Sequence, residues 1–207
     1  MGELRKDYIL DRWVIIASER GKRPHDFAKE KLESGDPKTC YFCPGNENTT
    51  PAEISRIDND DPRTIKRWPW KMRIFPNKFN AVRPEGQMEI RTDNTFYTFS
   101  ANYGFHEVIV ETPDHSKQLW DLRDSEIKQV IDLYCDRINE LGKKQGIKYV
   151  CVFKNSGRDA GTSIIHSHSQ AIAYNKVPEF IQQEVEASKK YPACPYCSII
   201  NNERSSY

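Results

Sequence analysis

The sequence predicts an α+β fold in which a mostly antiparallel sheet carries flanking helices. Three observations point there. The stretch from 105 to 173 reads strand, helix, strand, loop and strand. No Walker-type or Gly-x-Gly-x-x-Gly loop interrupts that order, so a parallel nucleotide-binding sheet is not expected. Four Trp, ten Tyr and nine Phe are enough to build a core, unlike a disordered composition.

In chain order, Trp13 to Ala17 of "RWVIIASERGKRP" form a short apolar strand, and a basic loop follows, ending at Pro24. Residues 26 to 63 are polar, with scattered Pro, Gly and Asp, and are expected to be mostly irregular. "RIFPNKFNAV" returns to a strand and turn. "GFHEVIVETPDH" holds a strand from about 105 to 111 stopped by Pro113. Ile127, Val130, Ile131, Tyr134, Ile138 and Leu141 then recur at three- and four-residue spacing. They mark the apolar face of a helix, capped by Asp124 or Ser125 and ended by Gly142 or Gly146. "IKYVCVF" at 147–153 is the next strand, a glycine-containing loop spans 155 to 162, and "IIHSHSQAIA" is a further strand. A second helix covers about 178 to 190.

A chain of 207 residues suffices for one ordinary domain and the beginning of another. The net charge of +1 leaves no broad electrostatic footprint, so neither nucleic acid nor an acidic membrane is an expected partner. The N-terminus "MGELRKDYIL" carries charges where a secretion signal needs an apolar run. Lys6 stands where a myristoylation signal needs Ser or Thr. No apolar stretch approaches the roughly 20 residues that span a bilayer. A soluble, cytoplasmic protein is the expectation.

The six cysteines include two Cys-x-x-Cys pairs. Without a secretory signal these read as metal ligands or redox motifs before disulfides. Cys135 and Cys151 lie in apolar periodic segments and are expected to be buried packing residues. "CYFCPGNE" at 40 and "CPYCSIINNE" at 194 share the pair, nearby aromatics and a downstream Asn-Glu. Their separation of about 154 residues is too long for a solenoid repeat and suits a duplicated domain. On that reading residues 1–177 form the first domain. Residues 178–207 hold a linker helix and the start of a truncated second one.

"HSHSQ" at 166–170 sets two of the five histidines one residue apart. Alternate side chains of a strand share a face, so His166, His168 and Gln170 would point one way. Ser167, Ser169 and Ala171 would point the other. Successive members of one face stand roughly 6–7 Å apart, about the span of a phosphate group and its leaving oxygen. Upstream, "NSGRDAGTS" lets backbone N–H groups approach an anion closely. Neutral imidazole can attack phosphorus and then leave, a two-step transfer through a phosphoramidate. Gln170 can hold a phosphoryl oxygen without competing as acid or base. A lone His-x-His is as often a pair of satisfied strand residues, and the adjoining loop tips the balance toward a site.

Cys40 and Cys43 have the spacing at which two thiolates chelate one zinc ion, half of a tetrahedral site. Cys194 and Cys197 would complete an all-cysteine site, whereas two histidines would complete a mixed one. Spacing does not choose between them.

Taken in order, "RWVIIASERGKRP", "CYFC", "FPNKFNAV", "PDHSK" and "NSGRDAGTSIIHSHSQ" resemble galactose-1-phosphate uridylyltransferase and its relatives, the nucleotidyltransferase branch of the histidine triad superfamily. The resemblance spans roughly residues 4 to 200. It implies a histidine-triad-like half-barrel sheet, normally two such domains in tandem within a homodimer. His168 matches the nucleophile that becomes nucleotidylated, and Gln170 the glutamine that hydrogen-bonds the phosphoryl group. Cys40, Cys43, His115 and His166 match the family's Zn2+ ligands, which makes His166 a ligand rather than a second active-site imidazole. Cys194 and Cys197 match half of a possible second zinc site, whose histidine partners would follow further downstream. Arg20, Arg23, Asn77, Asn155, Gly161 and Ser163 match positions that contact the nucleotide or its phosphates. His25 and His106 match no ligand position, and His106 is expected to be a satisfied packing or hydrogen-bonding residue. Lys154 and Arg158 flank the phosphate loop and carry no expected role.

The implied reaction exchanges UMP between UDP-glucose and galactose 1-phosphate, in ping-pong order through a nucleotidyl-histidine. Many uridylyltransferases have Pro between the histidines and Gly before the glutamine, where this chain has Ser167 and Ser169. "HSHSQ" is similar to the branch that includes an ADP-glucose:phosphate adenylyltransferase, the alternative reading. There are two rivals. A nucleotide hydrolase of the superfamily would carry a third histidine at Gln170, able to shuttle a proton to a leaving group. A non-catalytic zinc-binding module would leave His168 incidental.

Overall fold

A computed structural model describes residues 3–6, 13–16, 35–86, 89–157 and 160–206. Its strands are β1 (Glu3–Lys6), β2 (Trp13–Ile16), β3 (Ser55–Asp58), β4 (Trp70–Pro76), β5 (Ile90–Thr92), β6 (Thr98–Ala101), β7 (Gly104–Val110), β8 (Tyr149–Phe153) and β9 (His168–Tyr174). Three helices accompany them, α1 (Asp124–Gly142), α2 (Glu179–Ser188) and α3 (Pro195–Ser206). The strands build two open antiparallel sheets, one ordered β2-β1-β6-β5 and the other β3-β4-β7-β9-β8. The fold is α+β, as the sequence predicts.

The centre of the larger sheet is the pairing of β7 with β9, which runs without a break from Gly104↔Tyr174 to Val110↔His168. Gly104 is required where that pairing begins, because a Cβ there would lie 2.0 Å from the Ala173 carbonyl oxygen. Side chains of this sheet alternate between two cores. On one face Met72, Ile74, Ile109, Ala171 and Ala173 pack against Val130, Leu133 and Leu141 of α1. On the other face Phe75, Val108 and Val110 pack with Phe42 and Trp70. Along β9 the small residues Ser169, Ala171 and Ala173 are buried toward the helix, while His168 and Gln170 stand half-buried on the opposite side.

An ion pair docks α1 onto its face of the sheet. Arg137 donates from Nε and Nη2 to the two carboxylate oxygens of Glu107 at 2.9 and 2.8 Å, and both side chains are 5% exposed. This pair accounts for a difference from the sequence expectation. Ile131 and Ile138 are exposed, and the buried stripe is Val130, Leu133, Arg137 and Leu141. A bidentate guanidinium can occupy the inner face because its partner is already there. The helix begins at Asp124, with Arg123 rather than Asp124 or Ser125 as its cap, and Glu126 accepts the Arg123 backbone N–H at 2.8 Å. Gly142 is its last residue.

Other expectations need correction. Cys135 is exposed on the outer side of α1 and Cys151 is half-buried on the edge strand β8, so neither is a buried packing residue. Residues 35–63 are less irregular than their polarity suggests, for β3 adds to the sheet edge and a 3-10 turn spans Glu47–Thr49. The predicted strand at 164–173 starts only at His168. β1, β5 and β6, three or four residues each, are too short to carry a periodic signal. α3 was also unanticipated, although Pro195 suits a first helical position, where no N–H is needed. Ala17, Arg20, Arg23, His25 and Arg158 lie outside the described residues. Among the described residues, no helix is long and apolar enough to cross a membrane.

Arg137→Met is expected to lower stability by about 3–5 kcal/mol, because it leaves the Glu107 carboxylate buried without its partner. Chemical denaturation checks this, and adding Glu107→Leu should recover most of the loss.

Candidate functional site

Cys40, Cys43, His115 and His166 bring one ligand atom each to a common centre, all within 4.8 Å of one another. Three separate segments meet there. Cys40 and Cys43 lie on one turn, closed by the Cys43 N–H donating to the Cys40 carbonyl at 3.2 Å. His115 comes from the loop after β7, and His166 from the residues just before β9. Cys43 Sγ lies 3.3 Å from His115 Nδ1 and 3.4 Å from His166 Nδ1, and Cys40 Sγ lies 3.6 Å from His166 Nδ1. A tetrahedral zinc bound to sulfur and nitrogen at ordinary bond lengths needs an S···N edge of about 3.6 Å. The donor set and its spacing therefore fit such a metal.

The protonation chemistry agrees. His166 Nε2 donates to the Thr112 carbonyl at 2.7 Å, which turns the lone pair of Nδ1 toward the two sulfurs. Burial pushes the His166 imidazole down to about 4, keeping it neutral as a ligand must be. Burial, reinforced by Cys40 beside it, pushes the Cys43 thiol up to about 12. Two thiolates this close are stable only with a cation between them. Because His166 turns into this cluster, the single face expected of His166, His168 and Gln170 holds only for the last two. Cys194 and Cys197 are exposed at the start of α3, and no third ligand joins them among the described residues.

On β9, His168 Nδ1 donates to the His166 carbonyl at 2.8 Å. That bond assigns the ring proton to Nδ1 and leaves the lone pair on Nε2. Burial lowers the basicity of this imidazole further, so the neutral form is the resident one. The Phe42 ring, between the two cysteine ligands in sequence, meets the His168 ring edge-on with centroids 5.1 Å apart. Two strand positions along, Gln170 Oε1 accepts from His106 Nε2 at 2.9 Å and from Asn77 Nδ2 at 3.1 Å. His106 is 4% exposed, the hydrogen-bonded core residue the sequence suggested.

Asn155, Gly161 and Ser163 lie exposed on the loop between β8 and β9. Gly157 and Gly161 adopt left-handed conformations, φ +82° and +74°, with open space where a Cβ would be. Such a turn leaves backbone N–H groups accessible to an anion.

Beneath the strand is a cluster that sequence reading missed. Glu111, 1% exposed, accepts hydrogen bonds from Ser167, Ser169, Tyr134 and Lys154, the last from Nζ at 2.6 Å. Lys154 Nζ also donates to Ser167 Oγ and to the His168 carbonyl oxygen, both at 3.0 Å. Burial opposes ionisation of Glu111, but the Lys154 ammonium and the two serine hydroxyls outweigh it and hold its carboxyl below the usual range. The available signal was a carboxylate ending the apolar run "VIVE" and a lysine ending "VCVFK". The assembled site offers a neutral imidazole with a free lone pair, a carboxamide beside it and an accessible glycine loop, a combination suited to attack on phosphorus.

The family model for the N-terminal domain of galactose-1-phosphate uridyl transferase matches residues 2–178. The chain is 37% identical to ADP-glucose phosphorylase of Arabidopsis thaliana, over 91% of this chain and 53% of that protein. It is 32% identical to galactose-1-phosphate uridylyltransferase of Haemophilus influenzae, over 90% of this chain and 51% of that protein. The crystal structure of the Arabidopsis ADP-glucose phosphorylase with bound ADP-glucose superposes with a TM-score of 0.62 at 34% identity, covering 92% of this chain and 54% of that one. The chain spans about half the length of the curated relatives it matches. With the family model matching over 2–178, the fold and the Cys2His2 cluster together mean that the chain belongs to the galactose-1-phosphate uridylyltransferase family.

Proposed function

We propose that this site transfers a nucleoside monophosphate from a nucleotide sugar to a phosphate-bearing acceptor through a nucleotidyl-His168 intermediate. One observation carries the reading. The Nδ1 hydrogen bond of His168 to the His166 carbonyl at 2.8 Å leaves Nε2 as the free nucleophile beside Gln170. In the first half, Nε2 bonds to the α-phosphorus as the bond from phosphorus to the departing sugar 1-phosphate oxygen breaks. In the second, a phosphate oxygen of the acceptor attacks the same phosphorus and the imidazole leaves. Each leaving oxygen belongs to a phosphate, so neither departure needs an acid. Gln170 cannot supply one, which favours transfer over hydrolysis. Gln170 steadies the phosphoryl oxygens, while Arg20, Arg23, Asn77, Asn155, Gly161 and Ser163 bind the nucleotide and its phosphates.

Cys40, Cys43, His115 and His166 would hold zinc, which supplies a structural crosslink when bound. The first reading of the substrates is UDP-glucose with galactose 1-phosphate. A second, ADP-glucose with inorganic phosphate, is supported by the 37% identity to ADP-glucose phosphorylase against 32% to the uridylyltransferase. Ser167 and Ser169 support it too, since they make the stretch "HSHSQ", which is similar to the adenylyltransferase branch. Residues 1–177 act as the first of two domains in this reading, with a homodimer as the assembly.

Intact-mass spectrometry after separate incubation with UDP-glucose and ADP-glucose is expected to register a gain of one UMP or one AMP. The gain should vanish in His168→Ala. A gain with neither sugar nucleotide, or one that survives the substitution, overturns the mechanism. Cys40→Ala is expected to lose bound zinc by elemental analysis and to melt at a lower temperature, since metal binding and folding are coupled. A variant as stable as its parent overturns the metal assignment.

A further inference from the structure

We infer that His106 is a positioning residue that, together with Asn77, fixes which end of the Gln170 carboxamide faces the phosphoryl group; this rests on the transfer reading above. The oxygen and nitrogen ends of a carboxamide are alike in shape, so only their partners can orient the group. Two independent routes orient it here, and each begins at a backbone amide of the turn after β4.

The first route runs through His106. The Ala81 N–H donates to His106 Nδ1 at 3.0 Å, so Nδ1 is an acceptor and the ring proton resides on Nε2. Nε2 therefore donates across 2.9 Å to Gln170, and the atom it meets must be Oε1. The second route runs through Asn77. The Phe79 N–H donates to Asn77 Oδ1 at 2.9 Å, which makes the other end of that side chain its amino group. That amino group donates to Gln170 at 3.1 Å, and again the acceptor must be Oε1. His106 Nε2 and Asn77 Nδ2 approach each other to 3.2 Å because both donate to one oxygen.

With Oε1 held twice, the Gln170 amino group is the end that remains for the substrate, and it carries two N–H donors. A reversed carboxamide would set that amino group against two donors and turn a carbonyl oxygen toward phosphate oxygens. His106 reaches Gln170 as a diagonal neighbour, since His106 pairs with Ile172 and Gln170 with Val108. At 4% exposure it has little access to water that could replace its bond. The Asn77 N–H donates to the His106 carbonyl at 2.7 Å, fixing the turn to β7 so that both routes keep their geometry.

The test is single-turnover formation of the nucleotidyl-His168 adduct in the zinc-loaded protein, using whichever of UDP-glucose and ADP-glucose labels the parent. His106→Phe is expected to slow labelling by roughly 10–100-fold, below the loss typical when an oxyanion donor is removed outright. Affinity for the sugar nucleotide should change by less than about threefold, the mark of an interaction made mainly in the transition state. His106→Gln, whose amide nitrogen can stand near the place of Nε2, should restore the rate to within about fivefold. In a Gln170→Ala background His106→Phe should change nothing further, because the two act as one unit. His106→Asn, polar but too short to reach Gln170, should behave like Phe and keeps the test available should Phe disturb the fold. If the parent does not label, the transfer reading fails. If the parent labels and His106→Phe and His106→Asn label as fast, or slow labelling equally without Gln170, the positioning role of His106 is overturned while the transfer reading stands.

Discussion

The register of β9 against β7 is the constraint on which the rest of the site depends. A slip of one residue would turn His168 and Gln170 into the helix-facing core and bring Ser169 to the surface they now occupy. The register is pinned at both ends. At one end Gly104 admits the Ala173 carbonyl, which no other residue could do. At the other, the Glu111 N–H donates to the Ser167 carbonyl at 3.3 Å, and His166 Nε2 reaches the Thr112 carbonyl. Hydrophobic burial alone would not suffice, because both faces of the sheet are apolar enough to bury.

What distinguishes the faces is the polar group each accepts. The α1 side takes Glu107 against Arg137 and Glu111 against Lys154, Ser167, Ser169 and Tyr134. A buried carboxylate is costly unless nearly every lone pair finds a donor, and Glu111 accepts from four side chains. Its partners include both serines of the histidine stretch, so the residues that alternate with His168 and Gln170 are themselves committed. The Lys154 ammonium ends on the His168 carbonyl oxygen, which gives the strand a fixed depth as well as a fixed register.

The Cys40, Cys43, His115 and His166 cluster acts on the same strand from its other end. It joins residues more than a hundred positions apart in sequence and sets Phe42 against His168, so the ligand cluster and the imidazole share a wall. The His166 carbonyl accepts the hydrogen bond from His168 Nδ1–H while its own ring faces the cysteines. One residue therefore serves both centres, by backbone in one case and side chain in the other. This coupling ties the geometry of the Cys2His2 cluster to that of the His168 ring without direct contact between His168 and the cysteines.

Alternation along "HSHSQAIA" and the three-to-four spacing of α1 could be read directly, because local geometry repeats with a period that burial makes visible. The Cys-x-x-Cys spacing likewise pointed to a metal, since a chelating turn is a local structure. Its histidine partners were beyond such reasoning and came only by resemblance. The departures have one cause. His166 left the expected face because a ligand cluster from distant segments drew it away, and Arg137 displaced Ile138 on the inner face because Glu107 waited across the interface. Glu111, Lys154 and His106 sat in apolar segments as isolated polar residues, and nothing local could pair them. The sequence by itself determined the strands β2, β4, β7, β8 and β9 and the helices α1 and α2, and that an imidazole and a carboxamide stand on one face. Only the tertiary structure decided where His166 points, which polar groups satisfy one another and how Gln170 is turned, because a hydrogen bond between residues 64 or 93 positions apart has no local signature.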